Sequence, residues 1–527
     1  MKIDASVAPS SNETVPGLRA DKKRSDGLLF VVIFVITCSL TPLLALAGST
    51  ISLSLVLGCL VALIIAVLTI IRPMFGFYMV LGCVVLVESR PNYFPIFTDQ
   101  LTIYYWPSGL EGLLERPIGF FILFVIFVFI CHRLINRQQI LQGGPLLLPF
   151  LFFLLCVAFG VLHGLATGGD FKTIVLEVRP FWYLLVSYLL AYNFVTSEGH
   201  IRTFFWIVIL AAGIKGLQGT YIYLVVLHGD LSNAHEIMTH EESFFFVALI
   251  LLIILFQLHY GYRSQLYAAL LVLPFVLVAL VANQRRADYI ALIVGLAVAW
   301  ALILKAEPLA RKRLLVVGLV CVILGVGYVA VFSQVSGPTG QPARALVSVF
   351  QPGTQDAGDA ASNQYRTNEN FDLKYTEKQD PLLGYGFGKK FLEPMPLTDI
   401  SSADPIYLYV PHNTIYWVWM RLGPIGYFAL WYLFGAIIVR GCLILRRLRN
   451  TYLQLVAIYI IALTFMEIIV AFADYQLFFY RNVLYIGLLA GILMKLPAID
   501  EKDKKKEQSV HESTHGVPEY SISNSRS

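Results

Sequence analysis

The residues best suited to chemistry are a histidine and four arginines. In Pro411-His412-Asn413-Thr414-Ile415-Tyr416-Trp417 a polar pair opens an apolar run that continues through Arg421-Leu422-Gly423-Pro424-Ile425-Gly426. A helix beginning near Pro411 would use the fixed φ and missing N–H of proline in its first turn. His412 would then sit at the positive end of the helix dipole, which opposes imidazolium formation. A neutral imidazole there is a candidate general base, and the alternative is a histidine that only caps the helix. His412, Tyr416, Trp419 and Gly423 fall at i, i+4, i+7 and i+11, on one helical face, where simple lipid or bundle packing is the better account of the aromatics. Gly423 and Gly426 permit close helix approach, and Pro424 predicts a kink.

The arginines are Arg179, the adjacent Arg285-Arg286 and Arg366. A guanidinium near lipid is costly and asks for an anionic partner, and its planar paired donors suit a diphosphate. The competing reading pairs each with a carboxylate such as Glu177 or Asp288, or lets it reach lipid phosphates.

These residues have to be positioned by membrane helices. With 57% hydrophobic and only 14% charged residues, the 527-residue chain carries too much apolar surface for a water-soluble fold. Apolar stretches long enough to cross a bilayer recur from 28–47 to 478–496, giving about 12–14 spans and an all-α polytopic bundle. With the N-terminus inside, Arg133 with Arg137, Arg202, Arg263, Arg311-Lys312-Arg313 and Arg446-Arg447-Arg449 share one side, as the positive-inside rule requires. That pattern excludes a nucleic-acid partner as the reason for the net charge of +5 and places both termini in the cytoplasm.

The chain then divides into a disordered tail (1–27), N-terminal spans (28–333), a large outer loop (334–411), C-terminal spans (412–496) and a second disordered tail (497–527). The outer loop is too long for a connector, which marks it as functional. Its first part, through Ser362, is rich in Gly, Ala, Gln and Pro and reads as mobile. Its second part, with Tyr365, Phe371 and Tyr375 at helix-like spacing, predicts a short amphipathic helix near the outer membrane boundary.

Two motifs are weaker than they look. Gly384-Tyr385-Gly386-Phe387-Gly388 has the glycines of a phosphate-cradling loop but no parallel-sheet unit around it, so it reads as a tight turn. His235 and His240 are five apart, off a shared helical face, so the metalloprotease zinc motif is not met. The seven cysteines lie in or beside apolar segments and form neither a disulfide framework nor a metal-ligand spacing. No metal or other cofactor is expected.

His412-Asn413, nine residues and then Gly423-Pro424-Ile425-Gly426 resembles the signature of the O-antigen ligase and polysaccharide polymerase superfamily of bacterial membrane glycosyltransferases. Arg366, the Pro381–Gly388 run and Arg285-Arg286 resemble that family's outer loop and its arginine before a span, and the likeness covers about residues 180–445. The resemblance implies a GT-C-like bundle in the bacterial inner membrane. It implies transfer of a glycan from undecaprenyl diphosphate to a glycan or lipid acceptor hydroxyl at the periplasmic face, with inversion and without a metal. It assigns His412 as base and Arg286 as the better-registered diphosphate ligand, with Arg285 as the alternative, and matches Arg179 through Val178-Arg179-Pro180. Asn413 follows the motif with its role open. A transporter or flippase for an anionic lipid-linked glycan is the competing class, but it would place polar residues near mid-membrane and show repeat symmetry.

Overall fold

The computed structural model describes residues 53–88, 94, 98, 103–104, 115–231, 236–259, 263–306, 311–335, 337–350, 357–401 and 405–515. Among these the chain is all-helical, without strands. The helices are α1 (Leu53–Ile71), α2 (Pro73–Leu86), α3 (Pro117–Ile135), α4 (Leu147–Ala166), α5 (Phe171–Phe194), α6 (Glu198–Tyr221), α7 (His240–His259), α8 (Arg263–Ala282), α9 (Arg286–Ala306) and α10 (Arg311–Phe332). After them come α11 (Gln341–Phe350), α12 (Ala357–Glu377), α13 (Thr414–Leu445), α14 (Thr451–Ala471) and α15 (Tyr480–His515).

Ten of the described helices are long and apolar enough to cross a membrane: α3 to α9 and α13 to α15. The expected span at 28–47 and the first tail lie outside the described residues. Helices in lipid gain little from burying apolar surface, so close contact depends on small residues. Gly213, Gly216 and Gly219 on α6 face Val272, Val276 and Ala279 on α8, where added Cβ atoms would come within 2.6–2.8 Å. Gly487 and Gly491 on α15 do the same against Ser187 and Tyr188 on α5. The α5–α15 pair forms the centre of the bundle, with α14 against α9 and α13 against α4.

The two ends of the bundle differ. At one end Asn450 bonds Asp500 and Glu198, and Lys495 reaches Gln142, amid the basic clusters of the sequence. At the other end α12 lies across the start of α13, and the α14–α15 connection closes beneath it.

Three local expectations are corrected. The first part of the outer loop is partly helical, because α11 buries Ala343, Ala345 and Ser348 and α12 already begins at Ala357. The helix carrying Tyr365, Phe371 and Tyr375 is 21 residues long and not short, with Phe371 and Tyr375 exposed and Glu369, Asp372, Leu373 and Thr376 buried. Its polar face is buried because it receives backbone donors: Leu392 N–H to Thr376 Oγ1 at 2.9 Å and Met395 N–H to Asp372 Oδ1 at 2.9 Å. Finally, α15 runs past Pro497 to His515, where the sequence predicts an irregular tail. That extension is rich in Lys and Glu, good helix formers, and Glu501 pairs with Lys505 one turn on at 2.9 Å.

Candidate functional site

The site is built on the start of α13. Its N-cap is Asn413, whose side chain accepts from Tyr416 N–H at 3.0 Å, so the helix starts at Thr414 and not near Pro411. His412 therefore precedes the cap and does not share the helical face of Tyr416 and Trp419. The cap is a better local solution than the proline because its oxygen satisfies one of the orphan donors of the first turn.

His412 is held by Glu369 of α12. Its backbone N–H donates to Glu369 Oε2 at 3.0 Å, and its ring Nδ1 lies 3.1 Å from Oε1. Glu369 is fully buried, whereas the His412 side chain keeps 15% exposure. A carboxylate accepts only, so Nδ1 carries the proton, and in the neutral form of the ring the lone pair is on Nε2. The ring lies tilted over Tyr475 at 4.5 Å and meets Tyr365 edge-on at 5.6 Å. The sequence singles out His412 and Asn413 but misses Glu369, which lies 43 residues away on α12.

The same face of α12 collects two of the four arginines. Arg286, the first residue of α9, donates to Asn363 Oδ1 at 3.1 Å. Arg366 lies one turn further along α12, with its Nε buried and without an acceptor. Asn370 Oδ1 then accepts from Asn413 Nδ2 at 3.0 Å. Asn363, Arg366 and Glu369 with Asn370 recur at helical spacing, so the guanidiniums and the histidine are arranged along a stripe of about 10 Å.

The other two arginines have different company. Arg285 pairs with Glu236, which also accepts from His240 Nε2 at 2.9 Å, while His240 Nδ1 faces Asp474 at 2.8 Å. With carboxylates on both ring nitrogens, His240 makes both bonds only as imidazolium. Burial favours the neutral acid at Asp474, but the charges of His240 and Arg285 outweigh it and hold the carboxyl well below the usual range. This chain ties the α6–α7 connection to the loop that places Tyr475 under His412. Of the His235 and His240 pair, His235 lies outside the described residues. Arg179 engages Tyr480, whose hydroxyl accepts from Nη1 at 3.0 Å, and Glu115 at 3.7 Å.

Gly423 and Gly384 shape the floor. Gly423 has φ +65° and ψ −172°, which breaks α13 into two segments, and its missing Cβ lets the backbone of Leu382 and Gly384 approach. Gly426 follows in the lower segment, crowded against Leu422. The glycine run is thus neither a phosphate loop nor a free turn but a strap laid across α4 and α13: Tyr385 N–H bonds Met420 O at 2.7 Å and Phe387 N–H bonds Gly160 O at 3.4 Å. Buried Arg421, which the sequence reading also passes over, fastens it. Its guanidinium reaches Glu177 at 2.6 Å and the carbonyls of Gly386, Lys389 and Tyr409 at 2.7–2.9 Å.

A neutral imidazole nitrogen on the same helical stripe as two guanidiniums is an arrangement that can deprotonate a hydroxyl while an anionic leaving group is stabilised. Among the described residues no group of three His, Cys, Asp or Glu side chains could hold a metal ion. No curated protein matches the chain. Residues 269–431 match the model of the family described as O-Antigen ligase, a stretch holding Arg285, Arg286, Arg366, Glu369, His412, Asn413 and both motif glycines.

Proposed function

We propose that this multi-pass membrane protein takes a glycan from undecaprenyl diphosphate and joins it to an acceptor hydroxyl of a glycan or lipid at the periplasmic face of the bacterial inner membrane. The observation that carries the reading is the α12 stripe, on which Arg286 and Arg366 lead to the Glu369-held His412. His412 Nε2 takes the proton of the acceptor hydroxyl as its oxygen attacks the anomeric carbon. The bond from that carbon to the diphosphate oxygen breaks, the diphosphate leaves with the electron pair, and a single displacement inverts the configuration. Arg286 and Arg366 stabilise the charge that builds on the leaving group, an effect strengthened where water is excluded. Asn413 fixes the start of α13 and, through Asn370, its distance from α12.

The test is a His412→Ala variant in cells. The protein should still insert, lipid-linked glycan should accumulate, and normal surface polysaccharide would overturn the reading. A gel of the surface glycan also separates two forms of the reaction. Single units still attached without long chains indicate a polymerase, and long unattached chains indicate a ligase.

A further inference from the structure

Beside the arginine pair lies a cavity that the transfer chemistry above leaves unused. Its volume of about 300 Å³ is at the small end of the range for small-molecule sites. Its polar lining comes from Asp230, Gln284, Gln341 and Arg344, and its apolar lining from Leu231 and Val281. One carboxylate, one guanidinium and two carboxamides balance in charge, which suits a neutral polyhydroxyl ligand better than a second phosphate. A carboxamide presents a donor and an acceptor side by side, as neighbouring sugar hydroxyls require.

The cavity is also braced. Tyr289 Oη donates to Gln341 Oε1 at 2.8 Å, which orients that amide and leaves its Nε2 to donate elsewhere. Arg344 donates to the carbonyls of Val335 and Gly337, the latter at 3.1 Å, and so holds the α10–α11 connection around the space. Gln284 sits at φ +57° in the turn that leads directly into Arg285 and Arg286.

Position decides which ligand fits. Two trans peptide steps separate Gln284 from Arg286, so their Cα atoms lie within about 7.6 Å. The first sugar of a diphosphate-linked donor is bonded to the diphosphate itself, so its recognition site has to lie within a ring's width of the phosphate ligands. We propose that this cavity is the donor's glycan subsite, which receives the proximal sugars of the lipid-linked chain through Gln284 and Gln341. This inference rests on the glycan-transfer reading.

The test uses full-length protein in lipid nanodiscs, the glycolipid accumulated by His412→Ala cells as donor, and sugar-free undecaprenyl diphosphate as competitor. Turnover by the unmodified protein is read first. No turnover, or turnover that undecaprenyl diphosphate fails to inhibit, would refute the transfer reading and the subsite with it. Given turnover, the double variant Gln284→Gly, Gln341→Leu is compared, since glycine tolerates the positive φ and leucine keeps the bulk. Donor KM should rise about tenfold, as the loss of two neutral hydrogen bonds implies. The inhibition constant of undecaprenyl diphosphate and the acceptor KM should stay unchanged. An unchanged donor KM overturns the subsite. So does a parallel weakening of undecaprenyl diphosphate, which would show only that the arginine turn had moved, or a rise confined to the acceptor KM.

Discussion

Replacing Glu369 by glutamine tests whether that side chain sets the state of His412. Both donors of His412 converge on the one carboxylate, the backbone N–H at 3.0 Å and Nδ1 at 3.1 Å. Glutamine keeps the size but turns one acceptor oxygen into a donor. In one amide orientation the NH2 faces the backbone N–H of His412, donor against donor, in a fully buried position. In the other it faces Nδ1, and the ring can accept only by moving its proton to Nε2, which removes the lone pair that the reaction needs. Either way a buried hydrogen bond is lost, at about 1–3 kcal/mol. If that cost falls on the productive arrangement, kcat drops about 5- to 150-fold. The loss stays below that of His412→Ala, since removing a general base outright costs roughly 10²–10⁴-fold. Donor KM should hold, because Glu369 touches the base and not the donor, and Glu369→Asp should recover part of the rate. The assay is steady-state transfer by purified protein in nanodiscs, with a thermal midpoint beside it to separate misfolding from a chemical defect. A Glu369→Gln protein with unaltered kcat, beside an inactive His412→Ala, would refute the argument.

Arg286→Ala should raise donor KM with little loss of stability, whereas Arg285→Ala should mainly lower the thermal midpoint, because Arg285 anchors Glu236 and His240; equal kinetic effects would contradict this division. Gly423→Ala should reduce the amount of folded protein recovered from membranes, since its φ of +65° and ψ of −172° cost a side chain about 1–3 kcal/mol and the new Cβ would lie 2.6 Å from Leu382 O. Asp474 gives a signed pH dependence. Its folded pKa is depressed below the ordinary 3.8, so its contribution is present above that value and declines as pH falls further. Thermal midpoints should therefore fall below about pH 4 in the natural protein, and an Asp474→Asn variant, less stable at neutral pH, should lack that part of the decline.

The spans were legible because hydropathy over twenty residues is a sum, and small errors at the ends do not alter it. The apolar stretches of the sequence at 117–134, 145–163 and 451–472 are the helices Pro117–Ile135, Leu147–Ala166 and Thr451–Ala471. What hydropathy does not carry is the facing of a helix outside the bilayer. On α12 the rule that apolar residues face inward fails, because the partner of the buried face is a backbone rich in unsatisfied N–H groups. Glu369 and Thr376 are what that partner requires. Arg285 and Arg286 were indistinguishable for a related reason. Neighbouring residues in a turn point in different directions, and only the positions of Glu236 and Asn363 reveal which way each goes.

The break at Gly423 connects these parts. A continuous helix from Thr414 would leave no room for the Leu382–Gly388 strap, since Gly384 already meets the backbone of Arg421 and Gly423 at distances that exclude a Cβ. Without the strap, Arg421 would lose the carbonyl of Gly386 and Glu177 would lose the N–H of Gly388, leaving charge buried at the floor of the site. The strap follows α12 through a short turn in which Asp380 N–H bonds Glu377 O at 3.2 Å, so its anchoring fixes the end of the helix that carries Glu369. The spacing from His412 to Gly423 is therefore a structural requirement as well as a signature. The histidine must stand one cap before a short helix, and the glycine must end that helix where the strap crosses, for His412 and the buried face of α12 to meet.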